Sequence, residues 1–251
     1  MEHIGERLIW NYFPFTNIPI PLGGVNVLTI FNTLVVMALL WGMMWLGVRK
    51  LTRVPGSAQV ILESFVGLFD GLVTSSLEYP TRDQNRKFLP LIASLFMFVC
   101  LGNFIGFLPT HYFEEPTADI NCTMSLGMMA IAIAIYCGVK AKGVGEFFGE
   151  LLGPMWHQED ATGFGKLAGK ASALFFFPLN VIGEVAKVIS ISFRLFGNII
   201  GGAIIIVVVS TLTYNTFLPI GLDLFFVFFV GTVQAFVFTM LTLTYIAVAI
   251  K

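Results

Sequence analysis

The sequence predicts an all-α, polytopic membrane protein with about five transmembrane segments, the last two forming a long, strongly tilted helical hairpin. Hydrophobic residues make up 57% of the 251 positions, and charged residues only 12%. A soluble domain of this size could not bury that much apolar surface. The apolar residues also gather into runs of about 20 or more, the length that a helix needs to cross the hydrocarbon core of a bilayer.

Three apolar runs in the first half of the chain predict upright spans. They are residues 27–48, 88–109 and about 123–139. The connection that follows, residues 140–170, is too polar and glycine-rich to span, and we expect it at the interface or in the cytoplasm. Before the first span, Glu2 and Glu6 stand where a cleaved signal peptide would carry positive charge, so residues 1–25 are expected to form an outer segment.

Two further apolar stretches, about 171–213 and 218–250, are too long for upright spans. A helix that starts after Pro178 and ends near Leu212 would be roughly 51 Å long. Because the hydrocarbon core is only about 30 Å thick, such a helix must bend, tilt by about 50°, or run partly along the interface. The whole chain is therefore interpreted as one integral membrane domain made of an outer segment, three spans, a connection and a tilted hairpin, at residues 1–25, 26–139, 140–170 and 171–251.

Lysine and arginine residues are distributed unevenly between the two sides. The loop at 49–87 holds six of them, the connection at 140–170 holds four, and Lys251 closes the chain on the same side, whereas Arg7 stands opposite. Because cytoplasmic loops are enriched in these residues, we expect the N-terminus outside and the C-terminus inside. Together with the start of the chain, this bias fits a bacterial inner membrane, and an organellar membrane is the alternative. The net charge of −1 leaves no basic field for nucleic acid, so the expected surroundings are the lipid bilayer.

Strongly polar residues of the hairpin recur at helical spacing. On the first helix they are three or four positions apart and share one face: Asn180, Glu184, Lys187, Ser190, Arg194 and Asn198. On the second helix they are eleven apart, almost three whole turns: Asp223, Gln234 and Tyr245. Two polar stripes on neighbouring membrane helices suggest a hydrated path.

Arg194 is the most demanding residue of these stripes. Its charge costs about 3 kcal/mol at the centre of a bilayer on insertion scales, and no carboxylate lies within one turn of it. We therefore expect its anionic partner elsewhere, either in a distant part of this chain or on another subunit. The other polar residues have simpler interpretations: Glu184 and Lys187 as a local ion pair, Asp223 as a residue among headgroups, and Gln234 as a contact between helices.

Four ordered motifs resemble subunit a of the F-type ATP synthases, the stator half of a membrane ion motor. They are LGNFIGFLP (101–109), PTADINCTMS (116–125), S-x-R-L-F-G-N (192–198) and QAFVFTMLTLTY (234–245). The resemblance covers roughly residues 25–250. It implies a non-catalytic subunit, without an ATP site or cofactor on this chain, that couples ion flow through two aqueous half-channels to rotation and ATP synthesis.

The same resemblance implies roles for individual residues. Arg194 matches the essential arginine that faces the ion-binding carboxylates of the rotating c-ring. Asn198 and Gln234 match polar positions that line the half-channels. The remaining members of the expected translocation set are Ser190, Glu184, Lys187 and Tyr245, and those expected at a half-channel entrance are Asp119, Asp223 and Asn103. The expected partners are the c-ring and the b subunits of the peripheral stalk.

Two positions depart from the family pattern. Many members carry glutamate or histidine nine residues after the arginine and a counterpart seven before the glutamine, but this sequence has Ala203 and Val227. Asp223 could replace the missing titratable group, the half-channel could be wider and wetter, or the coupling ion could be sodium rather than the favoured proton.

The residues leave three other functions to weigh: a self-contained secondary transporter, a channel and a membrane enzyme. The sequence has no apparent internal repeat, no carbonyl filter or ring of acids, and no histidine within a span. Cys100, Cys122 and Cys137 form no metal motif, and the two that lie in apolar runs, Cys100 and Cys137, are expected to be free buried thiols. The histidines are expected to be solvated single residues, at His3, His111 and His157.

Overall fold

A computed structural model describes residues 9–10, 25–49, 56–77, 82–107, 113–146, 149, 163–213 and 217–251. Most of the predicted outer segment, much of the predicted connection, and the tip of the predicted hairpin lie outside these residues. So do His3, His111 and His157. The statements below concern the described part of the chain.

The fold class is confirmed, because the described residues are almost entirely helical apart from one two-residue antiparallel pairing of Ile9–Trp10 with Val25–Asn26. Among the described residues, five helical segments are long and apolar enough to cross a membrane: Val27–Trp45, Gln84–Ile105, Ile120–Lys142, Phe176–Leu212 and Leu218–Ile250. The elements are β1 (Ile9–Trp10), β2 (Val25–Asn26), α1 (Val27–Arg49), α2 (Ser57–Ser76), α3 (Arg82–Arg86), α4 (Leu89–Ile105), α5 (Ile120–Lys142), α6 (Gly163–Leu212), α7 (Phe217–Leu224) and α8 (Gly231–Ile250).

Three local features complete this order. A 3₁₀ turn, Pro116–Ala118, precedes α5. A π-helical turn, Phe225–Val230, joins α7 to α8. The side-chain Oδ1 of Asn26 accepts the Leu28 N–H at 3.0 Å, which caps the start of α1.

Helix α2 was not predicted. The loop expected between the first two spans contains this 20-residue helix instead. It carries two charged residues, Glu63 and Asp70, and is not among the five candidate spans. Its inner face buries Phe69 and Val73, and Leu77, which follows its last residue, is also buried. An amphipathic helix of this kind gains its stability from packing on neighbours, so a search for uniformly apolar runs does not find it.

Helix α6 also begins earlier than predicted. It begins at Gly163 and continues through Pro178, whereas the predicted helix begins after the proline. Proline is tolerated inside membrane helices where neighbouring groups satisfy the freed backbone carbonyl. The tilt of α6 and α8 relative to a bilayer stays a prediction.

The chain divides into two compact units, and α6 contributes to both. The first unit comprises Met1–Thr123 and Arg194–Thr239, and the second comprises Met124–Phe193 and Met240–Lys251. In the first unit, α1, α2 and α4 pack on one another around a core that includes the fully buried side chains of Val36, Ile92 and Val99. The side chains of Phe65, Phe69 and Phe96 form an aromatic cluster beside it.

In the second unit, α5 and α6 approach closely at a glycine. A Cβ added to Gly127 would overlap the Ser192 hydroxyl and lie 3.0 Å from Cγ2 of Ile191. Both Ser192 and Ile191 are buried. Small residues at such positions allow membrane helices to pack backbone against backbone.

Candidate functional site

In the first unit, a side-chain amide of α6 is hydrogen-bonded to a side-chain amide near the start of α8. The Nδ2 of Asn198 donates a hydrogen bond of 2.6 Å to Oε1 of Gln234. Gln234 is only 4% exposed, and its Nε2 has no partner among the described residues. Since buried polar groups are almost always hydrogen-bonded, this amide requires a water or a ligand.

A cavity of about 370 Å³ lies beside this pair and gives room for several water molecules. Its polar lining residues are Asn103, Glu114, Glu115, Asn198, Asp223 and Gln234. Ala203 and Val227, the two positions that depart from the family pattern, also line it. Both are apolar, so the titratable groups that face this cavity from the described residues are Glu114, Glu115 and Asp223.

Asn103 fixes the wall of this cavity. Its Nδ2 donates to the carbonyl of Gly231 at 3.0 Å, and its Oδ1 accepts from the Thr117 hydroxyl at 2.8 Å. Asn103 is buried, and both ends of its amide are thus occupied within the protein. It connects α4 to the 3₁₀ turn and to the first residue of α8. That residue directly follows the π-helical turn, a type of distortion that is frequent at functional sites.

Glu115 lies in the same cavity and was not among the predicted site residues. Its carboxyl group packs directly against Gly106, where an added Cβ would overlap its atoms. Burial raises the pKa of Glu115 to about 7, and the negative charge of Asp223 contributes to this increase. The sequence signal was a pair of adjacent acids just before Pro116, but only the fold brings Glu115 near Asp223.

Asp119, predicted at a half-channel entrance, is not among the residues that line this cavity. Its Oδ2 accepts a bond of 3.1 Å from the Thr29 hydroxyl, and its Oδ1 accepts one of 2.9 Å from the N–H of Asn121. These bonds cap α5 and connect it to α1. A role of Asp119 in ion entry stays a prediction.

A second cavity, of about 350 Å³, lies within the second unit. Its polar lining residues are Asn180, Glu184, Lys187 and Tyr245. The Nζ of Lys187 donates to Oε1 of Glu184 and lies 5.7 Å from the centroid of the Tyr245 ring. The predicted local ion pair therefore exists, and a cation–π contact with α8 accompanies it.

Arg194 and Ser190 are exposed and line neither cavity. Within the described part of its unit, the Arg194 guanidinium makes no hydrogen bond or ion pair, whereas its neighbour Leu195 is fully buried. Arg194 thus points away from the packed interior of that unit. Cys100, Cys122 and Cys137 are free, and Cys100 and Cys137 are buried, as predicted for the two cysteines in apolar runs.

The match to known proteins covers most of the chain. The family model of the ATP synthase A chain matches residues 29–247. The chain belongs to this family. The matched region contains the four quoted motifs and nearly all residues that line the two cavities.

Curated members of the family are similar along most of their own length. ATP synthase subunit a of Moorella thermoacetica is 35% identical over 229 residues, which cover 91% of this chain and 91% of that protein. The same subunit of Aliarcobacter butzleri is 34% identical over 79% of this chain and 78% of its own. That of Gloeobacter violaceus is 30% identical over 99% of this chain and 90% of its own.

Proposed function

We propose that this chain is the ion-conducting stator subunit of a rotary ATP synthase, in which Arg194 makes each carboxylate of a c-ring release its ion and reload. Membership in the ATP synthase A chain family supports the coarser part, ion transport in the membrane sector of that complex. The observation that carries the finer part is Arg194 itself. It is exposed on a membrane helix and has no partner among the described residues of its unit.

The positive charge of Arg194 explains how it would act on a carboxyl group of the ring. A protonated ring carboxyl is neutral and can move through lipid, whereas a bare carboxylate cannot. A unit charge pair about 4 Å apart at an effective dielectric of 20 attracts by about 4 kcal/mol, equivalent to roughly three pKa units. A carboxyl that reaches Arg194 therefore releases its ion there. Arginine suits this role better than lysine, because a desolvated lysine can lose its own proton.

The two cavities are proposed as the half-channels. The predicted orientation assigns the loop that contains Glu115 to the outer side, so the first cavity is the outer half-channel. The second cavity, with Glu184 and Lys187 near the predicted cytoplasmic connection, is the inner one. The site residues keep their expected roles in this proposal: Asn198 and Gln234 along the outer route, Glu184, Lys187 and Tyr245 along the inner, and Ser190 beside the arginine.

The proposal is tested by Arg194→Ala and Arg194→Lys in the intact complex. ATP-driven ion pumping into membrane vesicles should be abolished by Arg194→Ala and almost abolished by Arg194→Lys. Lys140→Ala is a control, because it removes an exposed cation at the end of α5. A normal gradient built by the Arg194→Ala complex would contradict the proposal.

Two further measurements test the partners and the ion. An affinity-tagged chain should purify with a c-ring and with b subunits from a bacterial inner membrane, whereas a stand-alone transporter or channel would purify without them. ATPase activity of the complex at neutral pH should not require sodium. A strict sodium requirement would replace the proton as the coupling ion and leave the role of Arg194 intact.

A further inference from the structure

We propose that Glu115 and Asp223 form one proton-binding pair that loads the outer half-channel, in place of the titratable groups that are missing at Ala203 and Val227. This inference rests on the proposed function of the first cavity. It adds a residue from outside the hairpin, Glu115, to the path of the ion.

The charges that face the first cavity favour a shared proton. Its titratable lining residues among those described are Glu114, Glu115 and Asp223, and no described lysine, arginine or histidine lines it. Glu114 is exposed, whereas Glu115 and Asp223 are partly buried. Two carboxylates in one cavity, without a compensating cation, repel each other when both are ionised, so the pair binds a proton more tightly than either carboxylate would alone.

The position of Glu115 is built into the backbone. Its carboxyl group occupies the space that a side chain at position 106 would fill, and only glycine there leaves it free. Asp223 belongs to α7, one residue before the end of that helix and the start of the π-helical turn. Glu115 thus approaches from the loop and Asp223 from the hairpin.

The buried amide of Gln234 gives an independent sign of hydration. Its Nε2 is unpartnered among the described residues, and Gln234 is 4% exposed and lines the same cavity as the two acids. A water on that amide would continue the route from the carboxyl pair to Asn198.

The acidity of Glu115 suits this role. With its pKa near 7, it can both take and release a proton at neutral pH, as an efficient proton-transfer group must. A solvated glutamate, with an ordinary pKa of about 4.3, would stay ionised. Because the negative charge of Asp223 raises the pKa of Glu115, removing that charge must lower it.

The experiment uses the intact complex in vesicles and measures ATP synthesis against the pH on the outer side of the membrane at constant membrane potential. The variants are Glu115→Gln, Asp223→Asn, the double variant, Glu115→Asp, and the control Glu63→Gln. Glu63 is an exposed glutamate on α2, so its variant removes one negative charge elsewhere. Assembly of every variant is checked by purification with its partner subunits.

Loading requires protonation, so the rate falls as the outer pH rises through the pKa of the pair. Glu115→Gln should lower the maximal rate at least tenfold, and Glu115→Asp should restore part of it. Asp223→Asn should move the midpoint of the profile to lower pH. The double variant should be no worse than Glu115→Gln, because the two residues act as a unit.

If both Glu115→Gln and Asp223→Asn have the rate and the pH profile of the wild type, the proposal that these residues form a proton-binding pair is wrong. If Arg194→Ala is inactive in the same assay, the proposed function stands while this inference fails. If Glu115→Gln does not assemble, the direction of the Asp223→Asn shift decides: a shift to lower pH supports the pair, and an unchanged midpoint rejects it. Dependence of the rate on sodium, not on outer pH, would also reject it.

Discussion

The side-chain amide of Asn198 donates a 2.6 Å hydrogen bond to the side-chain carbonyl of Gln234, and the other end of the Gln234 amide is buried without a partner among the described residues. This bond joins α6 to α8 beside the first cavity. A pair that served only to hold two helices together would be expected to leave no buried donor unsatisfied. The free end therefore favours an interaction with water in the cavity.

Gln234→Leu should slow ion translocation about tenfold without loss of the assembled complex. The leucine removes the hydrogen bond to Asn198, but it also removes the buried Nε2 donor that has no partner. Replacing such polar groups by an apolar side chain of similar size is often nearly neutral for the free energy of unfolding. The measurement is ATP-driven pumping per assembled complex. The control is Val233→Leu, at an exposed neighbouring position. A complex that fails to assemble would instead support a purely structural contact.

Gly106→Ala should displace the Glu115 carboxyl group, because an added Cβ overlaps it. Moved towards solvent, Glu115 returns to an ordinary pKa, and the outer-pH profile of ATP synthesis should shift to lower pH. Gly67→Ala is the matched control, since a Cβ at Gly67 meets nothing within 4 Å. An unchanged profile in Gly106→Ala would show that Glu115 can move without consequence.

Asn103→Ala should destabilise the first unit by about 2–4 kcal/mol, because it removes two hydrogen bonds and leaves the Thr117 hydroxyl and the Gly231 carbonyl with unmet bonding needs. The midpoint of thermal unfolding of the purified complex measures this loss. Thr239→Val is a useful comparison, since the buried Thr239 hydroxyl donates to the Ala235 carbonyl of its own helix. Equal shifts in the two variants would contradict a special role for Asn103.

The spans could be predicted from the sequence because bilayer thickness sets the minimum length of an apolar run that can cross it. The first prediction, residues 27–48, differs from α1 by one residue at its end. Helix α2 was missed because its stability depends on contacts of Phe69 and Val73 with other helices. The π-helical turn was missed because its residues, FFVFFV, carry no local signal that separates a π turn from an α-helix.

Prediction of the candidate site succeeded where helical spacing decides which residues share a face. Asn198 and Gln234 meet, and Glu184, Lys187 and Tyr245 line one cavity. Helical spacing cannot place a loop against a helix, so Glu115 was overlooked. The same limit explains Asp119, which lies close to Glu115 in sequence but bonds to Thr29 on α1.

Substitutions in the ion pair of Lys187 with Glu184 test whether these residues of the second unit stabilise the fold or conduct ions. Both side chains are partly exposed, so their pairing should contribute only about 0.2–1 kcal/mol to stability. Lys187→Gln should therefore change the unfolding midpoint little. If the second cavity carries ions, the same change should slow pumping several-fold, because the cavity then keeps the unpaired charge of Glu184.

The double variant Glu184→Gln/Lys187→Gln completes this test. It removes both charges and leaves the cavity neutral, so it should pump faster than Lys187→Gln alone if the unpaired carboxylate is what retains the ion. Tyr245→Leu removes the ring below Lys187 without changing charge, and should have the smallest effect on pumping. Equal pumping by all these complexes and the wild type would reduce the second cavity to a packing defect, and another inner route would then be needed.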